Sequence, residues 1–418
     1  MNHKSEFFKY VLPSIIAFAM SGIYAIVDGY FVGNTIGDAG LSAINIAYPI
    51  VAVLQALGTG IGMGGAVYYS INMAEKKQKR ARDFIATSRW LLILISIVVT
   101  VIIHFEASDM LSLLGAEGVI LDNATDYIKV IALGAILQVL GTGLIPFMRN
   151  YGGSFWSMFA MMGGFVTNII LDFIMVWIYG WGMKGAAAAT IISQGVTVAI
   201  AIIYELCMKK FYVKVSLSEA KKICGPIFKV GLAPFGLALT PNISLVFINR
   251  FSASYGGEKA IATYACVSYI ICIIYLILQG VGDGSQPLMS RYYGENDKAS
   301  LKGIQFLALE KIFLFFRRLL SLARRRGQML LQERRRLALQ AAQIQSLPPR
   351  RTKAPCTAED CPEEPRRLPF PKRLCFCCCR QVFSDFPFLS RRRLLQAFFL
   401  VFCTRKRPGR FSCKGQAG

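Results

Sequence analysis

Long apolar segments constrain this chain more than any other feature of its sequence. A helix needs ~20 apolar residues to cross a ~30 Å hydrocarbon core, and runs of that kind recur throughout the first 304 residues. Eight such runs lie near residues 10–33, 45–72, 88–105, 127–148, 156–180, 185–208, 227–251 and 261–290. Consecutive, almost uncharged runs with short gaps are not typical of a soluble domain. The sequence therefore predicts an all-α integral membrane protein.

Charged residues alternate between the loops and indicate an orientation. Lysines and arginines concentrate in 76–82 and 209–222, whereas 106–122 is acidic. Cytoplasmic loops are enriched in Lys and Arg, so both basic loops are expected inside, with the amino terminus in the cytoplasm. The first span is too long for a cleavable signal and has no A-x-A site.

An internal repeat appears when the chain is shifted by 220 residues. Gly60, Gly62 and Gly64 then fall on Gly280, Gly282 and Gly284, and the predicted spans coincide. Six spans, an even number, separate the copies, so both copies have the same orientation in the bilayer. Parallel repeats about an axis along the membrane normal are typical of transporters. The predicted domains are a six-helix lobe (1–208), a basic cytoplasmic linker (209–225) and a partial second lobe with helices seven and eight (226–305).

The remaining residues, 306–418, have a different composition. They hold 25 Lys and Arg against 7 Asp and Glu, whereas the first 304 residues hold 22 against 17. The overall charge of +23 therefore belongs mostly to this tail and does not indicate a nucleic-acid partner. Three interpretations remain open: an out-of-frame or erroneous continuation, a genuine basic appendage whose 317–343 helix presents Arg triplets to anionic lipid, and a metal or nucleic-acid module. The cysteines at 375–379 lack the paired spacing of a zinc site.

Polar residues inside the spans are the candidates for chemistry, because a buried carboxylate in a membrane is costly. Asp28 lies in span one and Asp172 in span five. Asn168 precedes Asp172 by four residues and shares its helical face, so the two offer hard oxygen ligands for Na⁺ or a proton site. Thr190 adds a hydroxyl and Tyr127 a phenol. The alternative is structural pairing with a basic side chain or between helices.

Other residues suggest a substrate cavity and exclude some activities. Tyr30, Met161 and Phe165 are candidates to line an adaptable apolar cavity, although lipid-facing or core positions are also open to them. Glycines crowd 58–65, which fits close packing or hinging. The chain has no G-x-x-x-x-G-K-[ST] and no H-E-x-x-H, so we expect neither an ATP-driven pump nor an enzyme, and no cofactor beyond a coupling ion.

These motifs together resemble the multidrug and toxic compound extrusion (MATE) family. The resemblance rests on Asp28 followed by Phe31-Val32-Gly33, on Gly40-Leu41-Ser42-Ala43, on Asn168-x-x-x-Asp172 and on the two-copy arrangement, and it covers about residues 5–305. It implies two six-helix bundles that form a V and open alternately to each side of a bacterial cytoplasmic membrane. The implied activity is export of cationic or amphipathic compounds in exchange for Na⁺ or H⁺ by a monomer surrounded by membrane lipid.

Residue by residue, Asp28, Asn168, Asp172 and Thr190 match the amino-lobe cation site of one branch of the family, with Tyr127 at its span-four tyrosine. Another branch uses an acidic residue in span seven, but residues 227–251 have none. The last four family helices have no counterpart here. A lipid-linked oligosaccharide flippase of the same superfamily and an inactive truncated membrane protein are the alternatives; the flippase would need a basic cavity.

Overall fold

The computed structural model describes the backbone of residues 3–345. It also describes the side chains of that range, except Asp38, several within 245–270 and most beyond 318. The nine α-helices of this part are α1 (His3–Thr35), α2 (Asp38–Ala74), α3 (Gln78–Leu113), α4 (Gly118–Leu133), α5 (Ala135–Asn150), α6 (Ser154–Leu171), α7 (Gly182–Cys207), α8 (Leu217–Gly294) and α9 (Lys298–Gln345). A π-helical segment, Asp172–Ile178, continues α6.

The helices confirm the predicted membrane class. Among the described residues, six helices are long and apolar enough to cross a membrane, and α4 with α5 makes a seventh span if the pair is counted as one. The eighth predicted span, 261–290, falls partly on residues whose side chains are outside the described set.

Span four is broken, which the sequence did not predict. α4 and α5 meet at Gly134 with a bend of 62°. A Cβ atom at Gly134 would lie 2.3 Å from the Ile191 side chain of α7. Only glycine therefore allows α7 to pack this closely against the bend.

α8 contains two membrane passes in one continuous helical element. The Tyr275 hydroxyl donates to the Leu237 carbonyl at 2.9 Å, whereas 38 residues of straight helix would separate them by about 57 Å. The element therefore doubles back between these residues, as expected for predicted spans seven and eight. Pro226, Pro234, Pro241 and Pro287 lie within it.

The two copies of the repeat meet in matching contacts. A Cβ at Gly60 would lie 3.0 Å from Phe235 Cβ, and a Cβ at Gly280 would lie 2.7 Å from Ile15 Cα. Shifting Gly60 and Ile15 by 220 residues gives Gly280 and Phe235, so each contact is the counterpart of the other. The pair Gly64 and Gly231 likewise corresponds to Gly284 and Val11. This reciprocity confirms the parallel repeat and its pseudo-two-fold relation.

Loops with basic residues gather at one end of the helices, called here the basic end. Lys210, in the linker after α7, lies 4.8 Å from the Tyr151 ring and 5.8 Å from the Tyr69 ring, both at the ends of other helices. Burial of Lys210 lowers the pKa of its ammonium group. The division at residues 208 and 225 remains a prediction; α7 ends at Cys207 and α8 begins at Leu217.

α9 begins with a side-chain cap and runs through the predicted boundary at residue 305. Asp297 accepts hydrogen bonds from the Ser300 backbone N–H at 3.0 Å and the Ser300 hydroxyl at 2.6 Å, and these bonds lower the pKa of the Asp297 carboxyl. Helix α9 includes the predicted 317–343 helix. Residues 346–418 of the predicted tail, with the cysteines at 375–379, lie outside the described residues.

Candidate functional site

The five polar residues predicted to bind a cation lie together, away from the basic end. Four helices and the π-helical segment supply them: Asp28 from α1, Tyr127 from α4, Asn168 from α6, Asp172 from the first π-helical position and Thr190 from α7. π-helical turns are frequent at functional sites because they shift side chains out of α-helical register. Here the change occurs at the carboxylate itself.

Two facing carboxyl groups form the centre of the site. The side chains of Asp28 and Asp172 are within hydrogen-bonding reach of each other. Asp172 is fully buried, and the Oδ1 atoms of both residues are buried without a hydrogen-bond partner among the described residues. Two adjacent carboxylates repel each other when both are ionised. A proton shared between them, or a monovalent cation, relieves that repulsion.

The Asn168 amide joins Asp172 to α7. In the orientation that satisfies both neighbours, its nitrogen donates to Asp172 Oδ2 at 2.8 Å and its oxygen accepts from the Thr190 backbone N–H at 3.2 Å. Asn168 is 1% exposed and Thr190 is 7% exposed. The spacing of four that suggested a shared face therefore gives a direct hydrogen bond. This bond holds one carboxylate oxygen and leaves the other available.

Hydroxyl groups complete the polar cluster. The Thr190 hydroxyl faces the Tyr127 phenol and donates to the Ala186 carbonyl at 3.0 Å. Tyr127 is 7% exposed and lies within electrostatic range of both Asp28 and Asp172. The cluster thus offers carboxylate, amide and hydroxyl oxygens, which are ligands suited to Na⁺. No group of three or more His, Cys, Asp or Glu side chains suited to a metal ion occurs in the described part of the chain.

Tyr24 belongs to the same cluster, although it was not among the predicted residues. Its ring stacks on Phe165 with centroids 5.2 Å apart and planes 10° apart. Its phenol faces the Thr190 hydroxyl and lies in electrostatic range of Asp28 and Asp172. Tyr24 precedes Asp28 by four residues, the same spacing that identified Asn168, so the signal was present in the sequence.

The three residues predicted to line a substrate cavity have three different sets of neighbours. Tyr30 is 40% exposed and stacks on Trp177 with centroids 6.4 Å apart. Phe165 contacts Tyr24 at the cation site. The sulfur of Met161 lies 3.8 Å from the Arg149 guanidinium. Their common role in a cavity remains a prediction.

Two ion pairs inside the predicted spans were also missed. Glu205 of α7 pairs with Arg89 of α3 and accepts a hydrogen bond from the Tyr151 hydroxyl at 3.3 Å. Arg149 of α5 pairs with Asp283 of α8 at 3.0 Å. Charged side chains within apolar runs are functional candidates by default, so the rule that selected Asp28 applied to all four.

Comparison with known proteins agrees with this architecture. The sequence profile of the MatE family matches residues 13–174. The multidrug export protein MepA of Staphylococcus saprophyticus is 33% identical over 321 residues, which cover 75% of this chain and 70% of that protein. MepA of Staphylococcus aureus strain MRSA252 is 29% identical over 320 residues, with the same coverage of each chain.

Solved structures show the same fold. An outward-facing multidrug resistance MATE transporter of the MOP superfamily gives a TM-score of 0.70 at 23% identity, covering 75% of this chain and 70% of that one. A MOP superfamily transporter from Pyrococcus furiosus gives 0.69 at 24% identity, with the same coverage. Together with the shared site residues and the repeat, these relatives place the chain in the multidrug and toxic compound extrusion family of membrane transporters.

Proposed function

We propose that this chain exports cationic or amphipathic compounds across a bacterial cytoplasmic membrane in exchange for Na⁺ or H⁺. The observation that supports it is the facing pair of carboxyl groups, Asp28 and Asp172, whose Oδ1 atoms are buried without a partner among the described residues. The names of the relatives, which describe multidrug export proteins, support the substrate class. The amino terminus is placed in the cytoplasm, on the basic side of the membrane.

The proposed mechanism is competition for buried negative charge. A cation that enters from outside is held between Asp28 and Asp172 and neutralises them. The site then no longer attracts a cationic compound, which leaves on that side. Asn168 and Thr190 keep Asp172 in place while the ion is exchanged. The ion shifts the equilibrium between the two access states only by its difference in affinity for them.

Removing either charge tests the proposal. Asp28→Asn and Asp172→Asn should each abolish ethidium efflux from vesicles under an imposed Na⁺ or H⁺ gradient, because each variant lacks half of the carboxyl pair. Comparing the two gradients identifies the ion. Asp122→Asn, a change of the same kind at an exposed position of α4, should leave efflux unchanged. Ion-driven efflux at the parental rate in both site variants contradicts the proposed function.

A further inference from the structure

A second buried cluster lies between the lobes, separate from the Asp28 site. Arg149 is 2% exposed, although its side chain is long and charged. Its Nη1 donates to Asp283 Oδ2 at 3.0 Å, its Nη2 lies 3.8 Å from Met161 Sδ, and its Cζ lies 5.4 Å from the centre of the Phe18 ring. The guanidinium therefore sits among a carboxylate, a thioether and an aromatic face.

Those three groups come from opposite sides of the lobe interface. Phe18, Arg149 and Met161 belong to α1, α5 and α6 of the first lobe, whereas Asp283 belongs to α8 of the second. The repeat does not account for Asp283, because the shift of 220 residues places it on the apolar Met63. Since a buried charge is costly in a membrane, a carboxylate at this position calls for a function that the helix packing does not supply.

The composition of the cluster is that of a site for organic cations. A carboxylate supplies charge, an aromatic face attracts a cation through its quadrupole, and methionine adapts to different apolar shapes. Resting on the proposed export function, we propose that Asp283, Phe18 and Met161 bind the organic cation when the lobes separate, and that Arg149 fills this site when they are together.

Exchange of the two cations follows from the geometry. Separation of α5 from α8 breaks the Arg149–Asp283 pair, and an unpaired buried charge is strongly destabilising. An organic cation that takes the place of Arg149 compensates Asp283 and so favours the separated state. The compound thereby promotes the conformation that admits it, because it binds only one of the two states. Arg149 acts as a competitor built into the chain.

Equilibrium binding of tetraphenylphosphonium to the purified full-length protein tests this. Asp283→Asn should weaken binding by about tenfold or more, because the charge partner of the ligand is lost. Arg149→Gln should tighten it, because the internal competitor is lost and a larger fraction of the protein is competent to bind. Triphenylphosphine oxide, a neutral compound of similar shape, should respond much less to either change.

Controls separate binding from folding and from ion coupling. Asp126→Asn, which removes a carboxylate from the exposed pair with Lys184, should bind tetraphenylphosphonium like the parent. The double variant Arg149→Gln with Asp283→Asn should keep its thermal stability, because two amides replace the ion pair, but should bind weakly. No ion gradient is used, so the result is independent of whether Asp28 and Asp172 couple an ion. Parental affinity in Asp283→Asn, or weaker binding in Arg149→Gln, overturns the proposal.

Discussion

The Tyr24 phenol lies where α1, α4 and α7 bring their polar groups together. It faces Thr190 and is in electrostatic range of Asp28 and Asp172, while its ring is held by Phe165. The phenol oxygen and the ring therefore have separate roles. A change that removes only the oxygen leaves the stacking intact.

We expect Tyr24→Phe to weaken ion coupling without affecting stability. Loss of one hydrogen-bonding group from the cluster should raise the Na⁺ or H⁺ concentration needed for half-maximal vesicle efflux by about fivefold, the effect of about 1 kcal/mol. Tyr179→Phe, at a phenol that is 64% exposed, is the matched control. A Tyr24→Phe protein with unchanged ion dependence would show that the phenol is only a packing group.

The Arg89–Glu205 pair makes a prediction about stability at the same scale. Both side chains are almost completely buried, at 7% and 0% exposure, and Arg89 also donates to the Tyr212 carbonyl of the linker. Glu205→Gln leaves a buried guanidinium without its counter-charge, which should lower the free energy of unfolding by about 3–5 kcal/mol.

Thermal or denaturant unfolding in detergent measures this loss. Asp126→Asn, in an exposed pair with Lys184 whose side chains are 51% and 63% exposed, should cost under about 1 kcal/mol. Equal losses in the two variants would mean that the Arg89 site admits water.

At the scale of helices, glycine sets how closely α2 and α5 pack. A Cβ at Gly62 would lie 2.2 Å from the Gly143 carbonyl oxygen. That atom belongs to the backbone and cannot rotate away, so Gly62→Ala should force the helices apart at a cost of about 1–3 kcal/mol. The close-packing interpretation of the glycines at 58–65 therefore accounts for this position.

Gly236→Ala is the control for that change. Gly236 is also inside a helix, and no atom of another element lies within 4 Å of a Cβ built there. Alanine is the better helix former by about 1 kcal/mol, so this variant should be at least as stable as the parent. A stable Gly62→Ala protein, measured by unfolding in detergent, would contradict the tight α2–α5 contact.

Contacts within one helix were predictable from the sequence, and contacts between distant segments were not. Asn168 and Asp172 share a face because they are four residues apart, and the same rule would have found Tyr24 beside Asp28. Arg149 and Asp283 are 134 residues apart in the chain, and their pairing depends on how α8 crosses α5. The break at Gly134 depends on Ile191 of α7, so local sequence alone could not place it.

Considered as a whole molecule, the two lobes contact each other through polar side chains as well as glycines. The Asn150 amide donates to Gln286 Oε1 at 2.9 Å, and Arg291 of α8 pairs with Glu6 of α1 at 2.7 Å. These contacts join the first lobe to α8 near the Arg149–Asp283 pair. If export requires the lobes to separate here, a covalent bridge at this level should stop it.

We expect Asn150→Cys with Gln286→Cys, bridged by a short reducible bis-methanethiosulfonate, to lose ethidium export and to recover it on reduction. Each single variant, treated in the same way, controls for modification of the native cysteines. Asp126→Cys with Lys184→Cys provides the matched bridge, because those residues pair at 3.4 Å between α4 and α7 of the same lobe. Mass spectrometry establishes the bridge in both proteins. Export that continues across a verified 150–286 bridge would mean that the lobes do not separate at this level, whereas loss of export in both bridged proteins would point to motion within the first lobe.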